Sequence, residues 1–398
     1  MIVAISATGC GVSGTPTAGE LDLRRLDTGP YPIEPIETGA EYDHSMLGGR
    51  LLAGMRLADN VVTGSVIDPA LTYGSADLIP DAAWVHNYMT EANRTVLERN
   101  RYLYGVVAGS TNNKSYDVFV NYAADDDLAA LARRKNPAFI STFIMQFPDA
   151  TAATRAAAEL EETDFQVAAD GNQRVPLAKH QEAHTHWRPG VPTIGSAAAH
   201  GSYVVYLNIG LGDPNLDRLA ELTEKTYDAQ FALLDKLPAL SPKEVLRLDN
   251  DPQDILRRVL NPGRSVSPSA IDFFSYGPTG FLNWTRSLRG LRDTFAAVGA
   301  DRFGVGWGTI AIRTRDADAA RALAPKLLQP PGIEVVATDA PPNIPGGGCV
   351  ENRSELLRPK RFSCTVPYHR YVAMVESNQI VDVHQKVAAQ YALFANSE

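Results

Sequence analysis

Apolar positions along the chain fall into two alternating rhythms, and the whole pattern occurs twice. Strand-like runs, alternating or β-branched, are RYLYGVVAG (101–109), YDVFVNY (116–122), FISTFIMQF (139–147) and YVVYLNI (203–209). A second set is FGVGWGTIAIRT (303–314), IEVVAT (333–338), FSCTV (362–366) and YVAMVE (371–376). STNNKS (110–115) has the composition of a hairpin turn. Helical spacing follows in DATAATRAAAELEE (149–162) and DADAARALAPKL (316–327). Each begins with an aspartate whose side-chain oxygen can accept an otherwise orphaned backbone N–H. Longer helices are predicted over 213–236 and 378–395, and DDDLAALARR (125–134) places acids at the positive end of another.

The matching order points to an internal repeat. VFVNY (118–122) recurs as GFLNW (280–284), STFIMQFPDATAA (141–153) as GTIAIRTRDADAA (308–320), SYVVYL (202–207) as RYVAMV (370–375), and AQFALL (229–234) as AQYALF (389–394). The offset stays between 160 and 168 residues. A tandem duplication over roughly 100–236 and 270–396 follows, with 41–99 as an extension of the first unit. Strands mixed with helices predict two related two-layer α+β sandwiches, ferredoxin-like in outline and paired as a pseudo-dimer. The predicted organisation is a truncated signal and lipobox over 1–10, a flexible tether over 11–40, an N-terminal domain over 41–236, a linker over 237–269 and a C-terminal domain over 270–398.

Composition narrows the function classes. Of 398 residues, 44% are hydrophobic and 21% charged, which is ordinary for a globular protein. The net charge of −9 and the lack of a Lys/Arg block exclude a polyanion-binding face, and hence a nucleic-acid partner. No run of about 18 apolar residues is present to span a bilayer.

Three cysteines carry more information. Cys349 and Cys364 are close enough to close a short disulfide loop, worth about 3 kcal/mol in the chain-entropy picture, in an oxidising compartment. Cys10 is then left over. It follows Ala7-Thr8-Gly9 and precedes a Gly/Pro/Thr-rich stretch, the setting of a lipobox, where a signal peptide is cut before a cysteine that takes acyl chains. Ala7 stands where a lipobox usually has leucine, and MIVAISA is short for a signal core, so we expect a longer signal peptide upstream.

The lipobox, GTPTAGELDLRRLDTGPYPIEP (14–35), GGRLLAGMRLADNVV (48–62) and the closing DVHQKVAAQYALF (382–394) resemble a family of actinobacterial cell-envelope lipoproteins, of mycobacterial or nocardial type and uncharacterised function. The resemblance spans nearly the whole chain. It implies export, acylation and a duplicated α+β body, and carries over no catalytic residue.

Few stretches suggest chemistry. Gly9 to Gly14 spells GxGxxG, but no strand precedes it and no helix follows. Neither a GxSxG elbow nor a phosphate-binding P-loop occurs. HQEAHTHW (180–187) is the exception. On one strand His180, Glu182, His184 and His186 would share a face, and His184 with His186 could hold a metal, with His200 or His369 as a third ligand. The aromatic residues Phe119, Tyr122, Tyr203, Tyr206, Phe281, Trp284 and Trp307 read as core.

The expected protein is therefore an exported, membrane-anchored lipoprotein, lipidated at Cys10, that binds a ligand or partner without catalysis and needs no cofactor. A hydrophobic small molecule, a lipid or an envelope protein would sit in an apolar cleft between the halves. The alternatives are a metal-dependent envelope hydrolase on the His180–His186 stretch and an accessory subunit of a membrane complex.

Overall fold

The computed structural model describes residues 21–113, 137–285, 288, 290–329, 334–353 and 360–397. The lipobox with Cys10, the start of the tether, YDVFVNY and DDDLAALARR lie outside them.

The first half holds strands β1 (Tyr73–Ile79), β2 (Tyr104–Thr111), β3 (Phe139–Gln146), β4 (Gln173–Arg174), β5 (His184–Trp187), β6 (Thr193–His200) and β7 (Tyr203–Gly210). The second holds β8 (Phe273–Tyr276), β9 (Arg302–Gly306), β10 (Thr309–Arg313), β11 (Val335–Thr338), β12 (Gly348–Asn352), β13 (Phe362–Tyr368) and β14 (Tyr371–Ser377). They form two seven-stranded sheets, ordered β1-β2-β3-β7-β6-β5-β4 and β8-β9-β10-β14-β13-β12-β11. Every neighbouring pair is antiparallel. The two orders are the same, so the chain is two tandem α+β units. Each has seven strands among the described residues, where a βαββαβ ferredoxin-like unit would have four. Residues 41–99 are no extension: they supply β1, the counterpart of β8.

The longer helices are α1 (Met46–Ala58), α2 (Glu91–Arg99), α3 (Ala150–Gln166), α4 (Leu216–Leu234), α5 (Pro278–Trp284), α6 (Leu291–Ala297), α7 (Ala317–Leu327) and α8 (Ile380–Ala395). Asp149 and Asp316 cap α3 and α7 as predicted, accepting from Ala152 N and Ala319 N at 2.8 Å. The expected two layers become three, because helices cover both faces of each sheet. In β2 all eight residues are buried, and the adjacent Val106 and Val107 belong to different cores. Val107 shares a core with Val96 and Leu97 of α2 and Ala153, Ala156 and Leu160 of α3, and Val106 shares that of α1 and α4.

Three of the four repeat blocks coincide in the fold: β3–α3 with β10–α7, β7 with β14, and α4 with α8. The fourth pairing rests on VFVNY, which lies outside the described residues, while GFLNW falls in α5, between the first and second strands of its sheet. FGVGWGTIAIRT is two strands rather than one. Trp307 and Gly308, at φ +49° and +86°, turn the chain between β9 and β10. Trp307 is accordingly exposed at the hairpin tip, whereas Tyr203 and Phe281 are buried as expected.

A matched pair of glutamines closes the two units alike. Gln230 on α4 accepts from Val62 N at 2.9 Å and donates to Asn60 O at 2.7 Å. Gln390 on α8 accepts from Leu260 N and donates to Arg258 O, both at 2.8 Å. The second unit thus begins before residue 260, and Ile255, Leu256 and Val259 of the expected linker lie in its core.

Residues 21–40, expected as free tether, are docked along α8. Leu21, Leu23 and Leu26 pack on the C-terminal core. Gln385 donates to Asp27 at 3.1 Å, Tyr31 donates to Asp382, and Asn396 donates to Ile33 O at 2.9 Å. Burial, with the hydrogen bond to Asp382, pushes the Tyr31 phenol up to about 12. A segment too polar to fold alone is held by a surface that is already folded.

The expected cleft between the halves is filled. One continuous core runs from Leu52, Leu78 and Tyr104 of the first unit to Phe274, Phe281 and Phe303 of the second. Phe281 stacks on Phe303 with centroids 4.2 Å apart. Asp59, at the end of α1, accepts from Gly277 N at 2.7 Å and Gly280 N at 3.1 Å, tying the start of α5 to the first unit. Asn283 donates to Val61 O at 2.9 Å, and Leu288 N to Thr72 O at 2.9 Å.

Candidate functional site

A concavity lies on the N-terminal unit, where α3 meets the β4–β5 edge. It is an open groove of about 680 Å³ lined by Arg99, Glu159, Glu161, Glu162, Arg174 and His184, with Ala158, Val175, Pro176 and Ala183 as apolar floor and walls. Glu161 is the centre of its polar side. Its side chain is 1% exposed, yet it projects from the buried face of a helix beside Leu160. A carboxylate buried there must be paired. His186 Nδ1 lies 2.8 Å from Glu161 Oε1, and Arg174 donates to Glu161 and also to Glu162. Phe165 covers the Arg174 guanidinium, 3.9 Å from the ring centroid, and meets His186 edge-on. Gly195, opposite His186 on β6, gives the imidazole its space: a Cβ there would come within 2.9 Å of His186 Cε1.

Asp164, one turn along α3, hydrogen-bonds Asn93 at 3.3 Å. Burial pushes its carboxyl up, against the hydrogen bond from Asn93 and the nearby His186, which pull it down. At the other end Arg99 Nη2 reaches Glu159 at 2.9 Å. The groove therefore offers acids and bases that largely satisfy one another, around a mixed polar and apolar floor.

The histidine stretch does not form the metal site its spacing allows. Only His184 and His186 lie on β5. A turn closed by Ala183 N to His180 O at 3.0 Å precedes the strand, so His180 and Glu182 are out of register with it. His180 packs on Tyr227 and Phe231 and bonds Asp228 of α4 at 2.9 Å, while His186 is held by Glu161 of α3. Glu182 is exposed, 3.6 Å from His180. His200 bonds Asp235 at 2.7 Å, and His369 occupies the β13–β14 turn at φ +46°. Among the described residues the one set of three metal-type ligands within reach of each other is Cys349, Cys364 and His384. Its two sulfurs are bonded to each other, as expected from the sequence. Cys349 and Cys364 face each other across β12 and β13.

The sequence matches the N-terminal domain of DUF7373, a domain of unknown function, over residues 40–250 and its C-terminal domain over 255–397. The chain belongs to the DUF7373 family. The two DUF7373 domains coincide with the two sheets, and their junction at 250–255 falls just before the segment clamped by Gln390. Among solved structures, the extracellular domain of PknH from Mycobacterium tuberculosis is similar at 10% identity and a TM-score of 0.28, over 44% of this chain and 95% of that one, a likeness too slight to carry an argument. No curated protein sequence matches the chain. No helix among the described residues is long and apolar enough to cross a membrane.

Sequence reasoning missed Glu161, Asp164, Arg174 and Arg99. ELEETD (159–164) reads as a solvated acidic helix end. The available signal was the spacing of Glu161 and Asp164, which puts two carboxylates on one helix face with Ala157 and Leu160. Arg174 comes from a two-residue edge strand that no periodicity announces.

Proposed function

We propose that this DUF7373 protein is an exported lipoprotein of the actinobacterial cell envelope, anchored through Cys10 to the outer face of the cytoplasmic membrane, that binds a ligand without catalysis. The observation that carries this reading is the Cys349–Cys364 bridge. A disulfide of this kind persists in an oxidising compartment, and it leaves Cys10 as the one cysteine without a partner in the chain. The ligand site is the α3/β4–β5 groove rather than the filled interface between the halves. Its alternating carboxylates and guanidinium groups suit a small polar molecule with hydrogen-bond donors. Glu161 is already engaged by Arg174 and His186, which favours recognition over general-base chemistry.

Native mass spectrometry of the protein expressed from its complete gene and extracted from its host's membranes tests both parts. The expected mass carries a diacyl group at Cys10, one disulfide and a small adduct that Arg174→Ala weakens at least tenfold. Three free thiols on an unacylated chain would refute export. An adduct indifferent to Arg174 would refute the groove.

A further inference from the structure

The C-terminal domain exposes three large apolar side chains among its described residues, and all three lie at one end of its sheet. Ile271 is 76% exposed, Trp307 45% and Val381 63%. Ile271 leads into the start of β8, Trp307 forms the β9–β10 turn, and Val381 follows the end of β14 in the first turn of α8. The pairings Phe273 with Gly306 and Thr309 with Val375, and the 3.0 Å bond from Trp307 N to Asp272 O, put these three chain positions at the same end. β8, β9, β10 and β14 are successive neighbours, so the end is about 15 Å across at the usual strand spacing.

Trp307 is also held in a conformation that bulky residues avoid. Its φ of +49° belongs to the left-handed region, where asparagine or glycine would fit the turn without strain. The turn leaves an indole in solvent, with its backbone bonded to the residue after Ile271, and indoles favour the water–lipid boundary. The N-terminal segment arrives at this end too. Asp27 and Tyr31 bind Gln385 and Asp382 in the first turns of α8, and Leu21 to Leu26 precede them on the same core. Cys10 is eleven residues before Leu21, a span of at most about 40 Å. Lys360 and Arg361, exposed at the start of β13, border the same end, where Arg361 pairs with Glu351 at 2.7 Å and Asp272 and Glu334 are exposed acids.

We propose that this end of the C-terminal domain, with Ile271, Trp307 and Val381 at its tip, rests on the phospholipid bilayer that holds the lipidated Cys10. The inference relies on the anchoring proposed above and adds an orientation: the membrane meets the C-terminal sheet end-on.

The test uses the acylated full chain in vesicles of phosphatidylethanolamine and phosphatidylglycerol, with and without bromine on the acyl chains. The Trp307 emission is the difference between wild type and Trp307→Phe. Bromolipid is expected to reduce it at least twofold and to leave the emission of the Trp307→Phe variant unchanged. Ile271→Ser/Val381→Ser should restore most of the Trp307 signal, with an unaltered far-ultraviolet spectrum as the check on folding. An unquenched Trp307 on a chain whose mass shows the acyl group overturns the orientation and leaves the anchoring intact. A free Cys10 thiol in the same mass spectrum overturns the anchoring, and the orientation with it.

Discussion

At the residue scale, Asp59 shows how a single side chain joins the two halves. Burial raises its carboxyl above the usual range, against the hydrogen bonds from Gly277 and Gly280 and the charge of Arg302, which lower it. Asp59→Ala strands two backbone donors and leaves Arg302 without this partner, so we expect a loss of about 1–3 kcal/mol, measured by chemical denaturation. The pH dependence follows from the raised value. Below the unfolded pKa the carboxyl is protonated in both states; as pH rises the unfolded chain ionises first, and stability is lost up to and through the folded pKa. The unfolding free energy of wild type minus Asp59→Asn should therefore fall as pH rises through the ordinary carboxylate pKa of about 4 and on through the raised folded one. A rise would mean that Arg302 and the two N–H groups outweigh desolvation. Nothing in the one-dimensional sequence marks Asp59 apart from other acids, because its donors are more than 200 residues away.

At the element scale, the glutamine clamps make the duplication energetic as well as topological. Each glutamine is fully buried on the long helix that follows the last strand of its unit and satisfies one N–H and one C=O of an incoming segment. Gln230→Ala and Gln390→Ala should each cost about 1–3 kcal/mol, because both backbone groups stay buried without a partner. Urea melts of the two variants check this, and a clamp whose removal is neutral would mean that water replaces it. The AQFALL and AQYALF blocks were visible in the sequence as similar text. What they hold was not, since Asn60-Val61-Val62 and Arg258-Val259-Leu260 share only a valine followed by an aliphatic residue, a match too short to stand out. The same limit explains the histidine stretch: alternation assigns a common face only while the strand continues, and here the strand starts at His184.

At the scale of the whole molecule, the two domains are covalently tandem but share one core. α5 packs on β1 and β2 of the other unit, and α1 packs on β8. Interdomain surfaces within a chain are often modest and mobile, but this one is continuous with both interiors. We expect a single calorimetric transition for the intact chain, with the van't Hoff and calorimetric enthalpies in agreement. Two resolved transitions would show that the domains unfold separately.

The sequence by itself determined the local chemistry: strand-forming alternation, aspartate caps, a duplication, a pairable Cys349 and Cys364, and a third cysteine, Cys10, outside that pair. These depend on neighbours along the chain, or on spacing that the text preserves. The tertiary structure alone decided that helices cover both faces of each sheet and that the interface between halves is filled. It also decided that residues 21–40 dock on α8, and that Glu161 meets His186 and Arg174. Each of these depends on which buried group finds a partner far away in sequence. Burial makes such partners obligatory, but only the assembled fold names them.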